Sequence, residues 1–277
     1  MIFVTGDTHG DFSRFSPDRF PETKAMTKAD AVIICGDFGG ILADTSVEAH
    51  WLDWLEDRSF TTLFVDGNHE NFEKLNAFPV HIWHGGKAHY LRPHVIHLMR
   101  GQVFEIGGLT FFTMGGAASH DIQDGVLDPE APDFEERYWQ MRRMRSRFRV
   151  KGVTWWPEEL PSEAEYDEAV KNLERANWQV DCVLTHCLPT SVMERLSTDY
   201  IPDKLTDFLE MVMRRCRFDF WYAGHYHRNR MVDDRFIVQW EQVTELKQGP
   251  LSQQITGTDD AQEKDSISIK FRRRRQT

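Results

Sequence analysis

Short, wholly apolar runs alternate with polar stretches along the first quarter of the chain. Ile2-Phe3-Val4, Ala31-Val32-Ile33-Ile34 and Thr62-Leu63-Phe64-Val65 are rich in β-branched and aromatic residues and unbroken by polar positions. That is the pattern of strands covered on both faces. Before the third run, Thr45-Ser46-Val47-Glu48 reads as a capping box. It predicts a helix to about residue 58 with Val47, Trp51, Leu52 and Leu55 turned inward. A further helix is expected from about 69 to 76. From 81 to 116 the pattern shortens, and residues 95–98, 102–106 and 109–113 read as strands. Gly107-Gly108 between the last two predicts a tight primed hairpin turn.

A second capping box at Ser162–Glu165 opens a helix expected to carry Tyr166, Ala169, Val170 and Leu173 inward. A strand over 180–184 follows, then a helix capped by Asp203 and running to about 212, then strands near 218–222, 228–233 and 236–241. The stretch of about 117–160 reads as an insertion. It holds a loop rich in Gly, Asp and Pro and a helix predicted over 133–148, with Phe134, Tyr138, Met141, Met144 and Phe148 as its apolar stripe. Residues 1–245 are expected to form the domain and 246–277 a polar, mobile tail with a possible edge strand at 266–271.

Composition adds exclusions. A chain of 277 residues can bury a full core without staples, and its formal net charge of −11 argues against a general coat for nucleic acid. The four cysteines, Cys35, Cys182, Cys187 and Cys216, form no CxxC pair and read as buried thiols. With no cationic leader and no apolar run of membrane length, a cytoplasmic protein with no membrane partner is expected.

The chemistry sits where the strands end. Each apolar run is followed by a glycine or threonine and then a donor: Gly6-Asp7-Thr8-His9-Gly10, Gly36-Asp37, Gly67-Asn68-His69-Glu70, Thr185-His186 and Gly224-His225-Tyr226-His227. Donors just beyond the carboxyl ends of neighbouring strands converge on one crevice. Seven oxygen and nitrogen donors are too many for one tetrahedral ion and suit two. Carboxylate, carboxamide and imidazole without thiolate favour Mn, Fe, Zn or Ni over Ca. Asp7 and His9 can reach one ion only from a turn, which Gly6 and Gly10 would ease. His225 and His227 could supply one donor to each ion, and Asp37, with two oxygens, is the natural bridge. His69, beside Asn68 but not needed for coordination, is free to protonate a leaving alkoxide.

In this order the motifs GDTHG, GD, GNHE, TH and GHYH resemble those of the calcineurin-like metallophosphoesterases, over residues 1–241. The resemblance implies an α/β fold, a four-layer αββα sandwich of two mixed β-sheets flanked by helices. It assigns Asp7, His9, Asp37 and His227 to one divalent metal and Asp37, Asn68, His186 and His225 to the other, with His69 assisting catalysis. Family members that act on phosphoproteins carry Asp-Arg-Gly soon after the second motif, whereas Gly36-Asp37-Phe38-Gly39-Gly40 runs on without it. The expected activity is therefore hydrolysis of a phosphomonoester or small phosphodiester, a nucleotide included, by a metal-bridging hydroxide. A nuclease is the alternative, and a non-catalytic scaffold of the same fold ranks below both.

Substrate-binding candidates come from the insertion. Arg142, Arg145 and Arg149 stand in a run of arginines whose guanidinium forks match phosphate oxygens, although a solvated face is the commoner fate of such a run. His120 could enter the site from its loop. Trp155 and Trp156 fit either base stacking or packing.

Overall fold

In the computed structural model, which describes residues 1–43, 45–196 and 200–253, the apolar runs form two sheets laid face to face. The first comprises β1 (Ile2–Thr5), β2 (Ala31–Cys35), β3 (Thr61–Val65), β4 (Val80–Trp83), β5 (Gly86–Arg92) and β6 (Val95–Leu98). The second comprises β7 (Gln102–Ile106), β8 (Leu109–Met114), β11 (Cys182–Thr185), β12 (Phe220–Ala223), β13 (Arg230–Val232) and β14 (Phe236–Val238). A two-strand ribbon, β9 (Val126–Leu127) with β10 (Arg149–Val150), lies in the insertion, and β15 (Thr244–Glu245) returns to pair antiparallel with β1. The sheet orders are β15-β1-β2-β3-β6-β5-β4 and β13-β14-β12-β11-β8-β7. In each sheet the central strands are parallel (β1, β2, β3, β6 and β8, β11, β12, β14) and the edges antiparallel.

Burial defines the layers. Between the sheets, Val4, Ile33, Leu63 and Val65 meet Phe104, Phe111, Leu184 and Tyr222. The alternate residues of the first sheet, Val32, Ile34 and Phe64, meet Leu52 and Leu55 of α1 (Ser46–Glu56) and Leu75 of α2 (Phe72–Ala77). On the outer face of the second sheet, Phe112, Val183 and Trp221 pack under α4 (Glu163–Arg175), α5 (Thr190–Leu196) and α6 (Lys204–Arg215). This is the expected four-layer sandwich. All three expected caps are present, at Thr45, Ser162 and Asp203. Both Gly107 and Gly108 have positive φ, +59° and +79°, as the primed turn requires.

Several expectations are corrected. α2 begins at Phe72 rather than near His69, because the Asn71 side chain accepts from Lys74 N and leaves the preceding residues as loop. Val47 lies in the first turn of α1 and is 62% exposed, and Val170 is only half buried. The helix of the insertion, α3 (Phe134–Met144), stops early because Arg145 takes a left-handed φ of +54°. None of its residues is buried: Tyr138 contacts Phe134 and Phe148, while Met144 is 69% exposed. Trp156 is buried in the insertion, which favours packing over stacking for that residue. The fold continues past residue 245. Leu246 N donates to Ile2 O, Lys247 N to Tyr222 Oη, and the short α7 (Pro250–Gln253) follows, its Leu251 N donating to Asp219. The edge strand expected at 266–271 lies outside the described residues. Among the described residues no helix is long and apolar enough to cross a membrane.

Candidate metal centre

Parallel strands of both sheets deliver their carboxyl ends to one place. Asp7 follows β1, Asp37 follows β2, Asn68 follows β3, His186 follows β11 directly, and His225 and His227 follow β12. Their donor atoms converge. His227 Nε2 is 3.0 Å from Asp7 Oδ2 and 3.2 Å from His9 Nε2. Asp37 turns one oxygen to each side: Oδ1 is 3.4 Å from His186 Nε2, Oδ2 is 3.7 Å from His9 Nε2. Asn68 Oδ1 is 3.2 Å from His186 Nε2. The His225 ring stands edge to face with that of His186 at 5.0 Å.

These atoms are too close to be indifferent to one another, and one of them is left unsatisfied. Asp7 Oδ2 is buried and, despite the nearby His227, has no aligned hydrogen-bond donor. A buried carboxylate oxygen without a partner costs several kcal/mol unless a cation takes it, on the order of the penalty for burying an unpaired charge. Burial would push His186 down, but Asp37 and Asp7 lift it to about 10, so the two carboxylates demand positive charge at this point. His186 Nδ1–H donates to Cys35 O at 2.8 Å, which reserves Nε2 for the centre: protonated, it faces the oxygens of Asp37 and Asn68, and deprotonated it would offer a cation there its lone pair. The donor set therefore fits divalent cations. Asp7, His9 and His227 form one close group and Asp7, Asp37 and His186 another.

The backbone is bent to achieve this. His9, Asp37, His225 and His227 all have positive φ, between 46° and 67°. Such conformations cost about 1–3 kcal/mol each in a non-glycine residue and persist where surrounding structure holds them. Gly10, at φ +78°, eases the turn as expected, whereas Gly67 and Gly224 make room rather than flexibility. A Cβ on Gly67 would lie 2.0 Å from Asp37 Oδ1, and one on Gly224 would lie 2.2 Å from Asp7 Oδ1. Gly6, expected to ease the turn, has no positive φ; its space is taken by the Gln239 carbonyl.

Neighbouring side chains and backbone groups, inside and outside the motifs, hold the donors in place. Glu70 accepts from Phe38 N at 2.6 Å and Gly39 N at 3.4 Å, clamping the loop that carries Asp37; burial, then Asp37, raises its carboxyl to about 8. His69 N donates to Asp37 Oδ1 and His225 N to Asp7 Oδ1, each at 2.9 Å. The Arg14 guanidinium bonds Asp7 O and Trp240 O, and Trp240 stacks on the His227 ring at 5.4 Å. From the insertion, Ser119 Oγ accepts from Asn68 Nδ2 at 3.2 Å and donates to Glu159 Oε2 at 2.6 Å. That chain aims the Asn68 carbonyl at the centre.

A family model described as calcineurin-like phosphoesterase matches residues 1–229. The chain belongs to the calcineurin-like phosphoesterases. It is 22% identical over 254 residues to lariat debranching enzyme A of Xenopus laevis and 24% identical over 255 residues to the lariat debranching enzyme of Drosophila melanogaster. In both cases 82% of this chain is covered but only 42% of the relative, so the phosphoesterase spans less than half the length of these relatives.

The remaining candidates separate. The His69 ring is 5.6 Å from that of His9; burial lowers its pKa, Asp37 opposes this and the Arg149 charge adds to the lowering. It is thus a stronger acid than free histidine, though protonated less of the time. Arg149 is half buried and paired through Nε and Nη2 with Asp121, and both charges act on His69. Arg142 and Arg145 are exposed, and no described contact ties either to the donor cluster. His120 does reach the site, its ring 5.5 Å from that of His225. Sequence reasoning gave no role to Arg14, Glu70, Ser119, Asp121, Glu159 or Trp240. Only Glu70, inside the GNHE motif, carried a positional signal.

Proposed function

We propose that this phosphoesterase hydrolyses a phosphomonoester or a small phosphodiester using two divalent transition-metal ions, with manganese the first choice and Fe, Zn and Ni as alternatives. One observation carries the reading: two groups of donors that share Asp7, one with His9 and His227 and one with Asp37 and His186, each meet within 4.8 Å, and Asp7 Oδ2 is buried without a hydrogen-bond partner. Asp7, His9, Asp37 and His227 would hold one ion; Asp37, Asn68, His186 and His225 would hold the other. When bound, such a pair lowers the pKa of water and stabilises both the attacking and leaving oxygens of in-line displacement at phosphorus. The chain supplies the rest. The His69 ring would give its proton to the leaving oxygen, while its backbone N–H keeps Asp37 oriented. Arg149, steadied by Asp121, would bind a nonbridging phosphate oxygen with the donors Asp121 leaves free.

The test is to load metal-free protein with Mn, Fe, Zn or Ni and follow p-nitrophenyl phosphate and bis(p-nitrophenyl) phosphate. Metal-dependent release of nitrophenolate is expected. No release with any ion, while ions demonstrably bind, would instead favour a scaffold.

A second reading, phosphodiester cleavage in nucleic acid, is favoured by the exposed arginines and aromatic residues of α3 and by the names of the relatives. It predicts that the rate on an oligonucleotide falls steeply with salt, as phosphate contacts are lost, whereas the rate on a small ester does not.

A further inference from the structure

A cavity of about 260 Å³ opens against His225, between the loop of the insertion and the α5–α6 region. Ala118, His120, Gln123, Met193, Tyr200 and Tyr226 contribute to its walls, and the hydrolytic step proposed above uses none of these six. Its aromatic side chains form a continuous wall around His225. His120 meets Tyr200 edge to face at 5.4 Å, Tyr200 meets Tyr226 at 4.8 Å, and Tyr226 meets His225 at 5.1 Å. Tyr226 is fixed from behind, since Leu188 N donates to its hydroxyl at 3.0 Å.

We propose that this cavity seats a planar heteroaromatic ring carried by the substrate, so that the ester hydrolysed is a nucleoside phosphate. The inference rests on the phosphoesterase reading above and names its substrate class. Three features favour a flat ring. The walls offer aromatic faces and a polarisable thioether, which attract π-systems beyond simple burial. Alanines at 117 and 118 leave room where a larger side chain would fill the space. Polar side chains are few, and Ser119, Asp203 and Thr206 are already engaged in hydrogen bonds of the fold, which suits a flat ring better than a polyol that needs many partners. His120 and Tyr200 lie too close for a third ring to slip between them, so an incoming ring would lie along the wall they form. Because His225 belongs to both the cavity and the donor cluster, a phosphoryl group at the centre is within a short linker of that ring.

Two measurements test this. The first compares kcat/KM for thymidine 5′-p-nitrophenyl phosphate and methyl p-nitrophenyl phosphate, which share a leaving group. The second follows binding of free thymidine by calorimetry, which needs no turnover. The intact protein should favour the nucleoside ester by about tenfold, the scale of one base–aromatic stack. Ala118→Trp, which fills the cavity, should raise KM for that ester by about the same factor, with a smaller change on the methyl ester, and abolish thymidine binding. Tyr200→Ala should move both in the same direction, so a misfolded single variant cannot decide the outcome. Equal kcat/KM on the two esters, with no thymidine binding, would overturn the proposal. Turnover without preference sinks the cavity alone; thymidine binding without turnover of either ester sinks the phosphoesterase reading and leaves the cavity standing.

Discussion

Removing the Ser119 hydroxyl tests how the insertion serves the centre. In Ser119→Ala the Asn68 amide loses the acceptor that holds it 3.2 Å away, while the backbone bond from residue 119 N to Glu159 Oε1 remains. Only the 3.2 Å contact of its oxygen with His186 Nε2 then remains to orient the carboxamide, so the Asn68 oxygen turns more freely from that place. The lost bond is long and between neutral groups, worth about 0.5–1.5 kcal/mol net. Loss of a partner that orients a metal ligand typically costs 10- to 100-fold in affinity, about 1.4–2.7 kcal/mol. The overlap of the two ranges gives about tenfold. Chelator competition on the Mn-loaded protein should show one of two ions weakened by that factor and the other, held by Asp7, His9 and His227, nearly unchanged. Equal weakening of both ions, or of neither, would refute the positioning role of Ser119.

Three further outcomes follow from the geometry. Gly67→Ala would drive a Cβ to 2.0 Å from Asp37 Oδ1, so the variant should lose metal and about 1–3 kcal/mol of stability in urea titration; retention of both would show that the loop yields freely. His69→Ala keeps the backbone N–H that holds Asp37, and should retain its ions while the rate on esters with poor leaving groups falls about 10²- to 10⁴-fold; an unchanged rate would remove His69 as the acid. His89, buried and 3.1 Å from His97, is held by burial and then by His97 at about 4, below its unfolded value near 6.5. Its contribution is therefore complete above about pH 6.5 and is lost as pH falls toward 4. That amounts to about 2 kcal/mol between about pH 7 and pH 5, a loss that urea titration should find reduced in His89→Asn and that would be disproved if the variant fell equally.

The gathering of the motif side chains was legible because each lies within a few residues of the carboxyl end of an apolar strand, and parallel strands put those ends together. The central strands were legible for the same reason, being apolar without interruption. β5 was not, because Gly86, Lys87, His89 and Arg92 break its pattern, and His89 is buried through a polar network with His97 and Asp66 rather than by apolarity. β15 was hidden by its two-residue length and its pairing with a strand from the opposite end of the chain. The supporting residues of the insertion escaped for a different reason. Asn68 and Ser119 are 51 positions apart, Ser119 and Glu159 are 40, and no local periodicity marks isolated polar residues that meet across such distances. The arginine run misled in part: Arg149 turns back toward His69, while the left-handed turn at Arg145 leaves its neighbours facing solvent.

The central claim is that one carboxylate joins two ions. Metal-free protein loaded with Mn and analysed by elemental analysis together with electron paramagnetic resonance tests it directly. Two ions per chain whose spins are coupled through a shared bridge, with the coupling lost in Asp37→Asn, is the predicted result. A single ion, or two that remain magnetically independent in the unaltered protein, would contradict it.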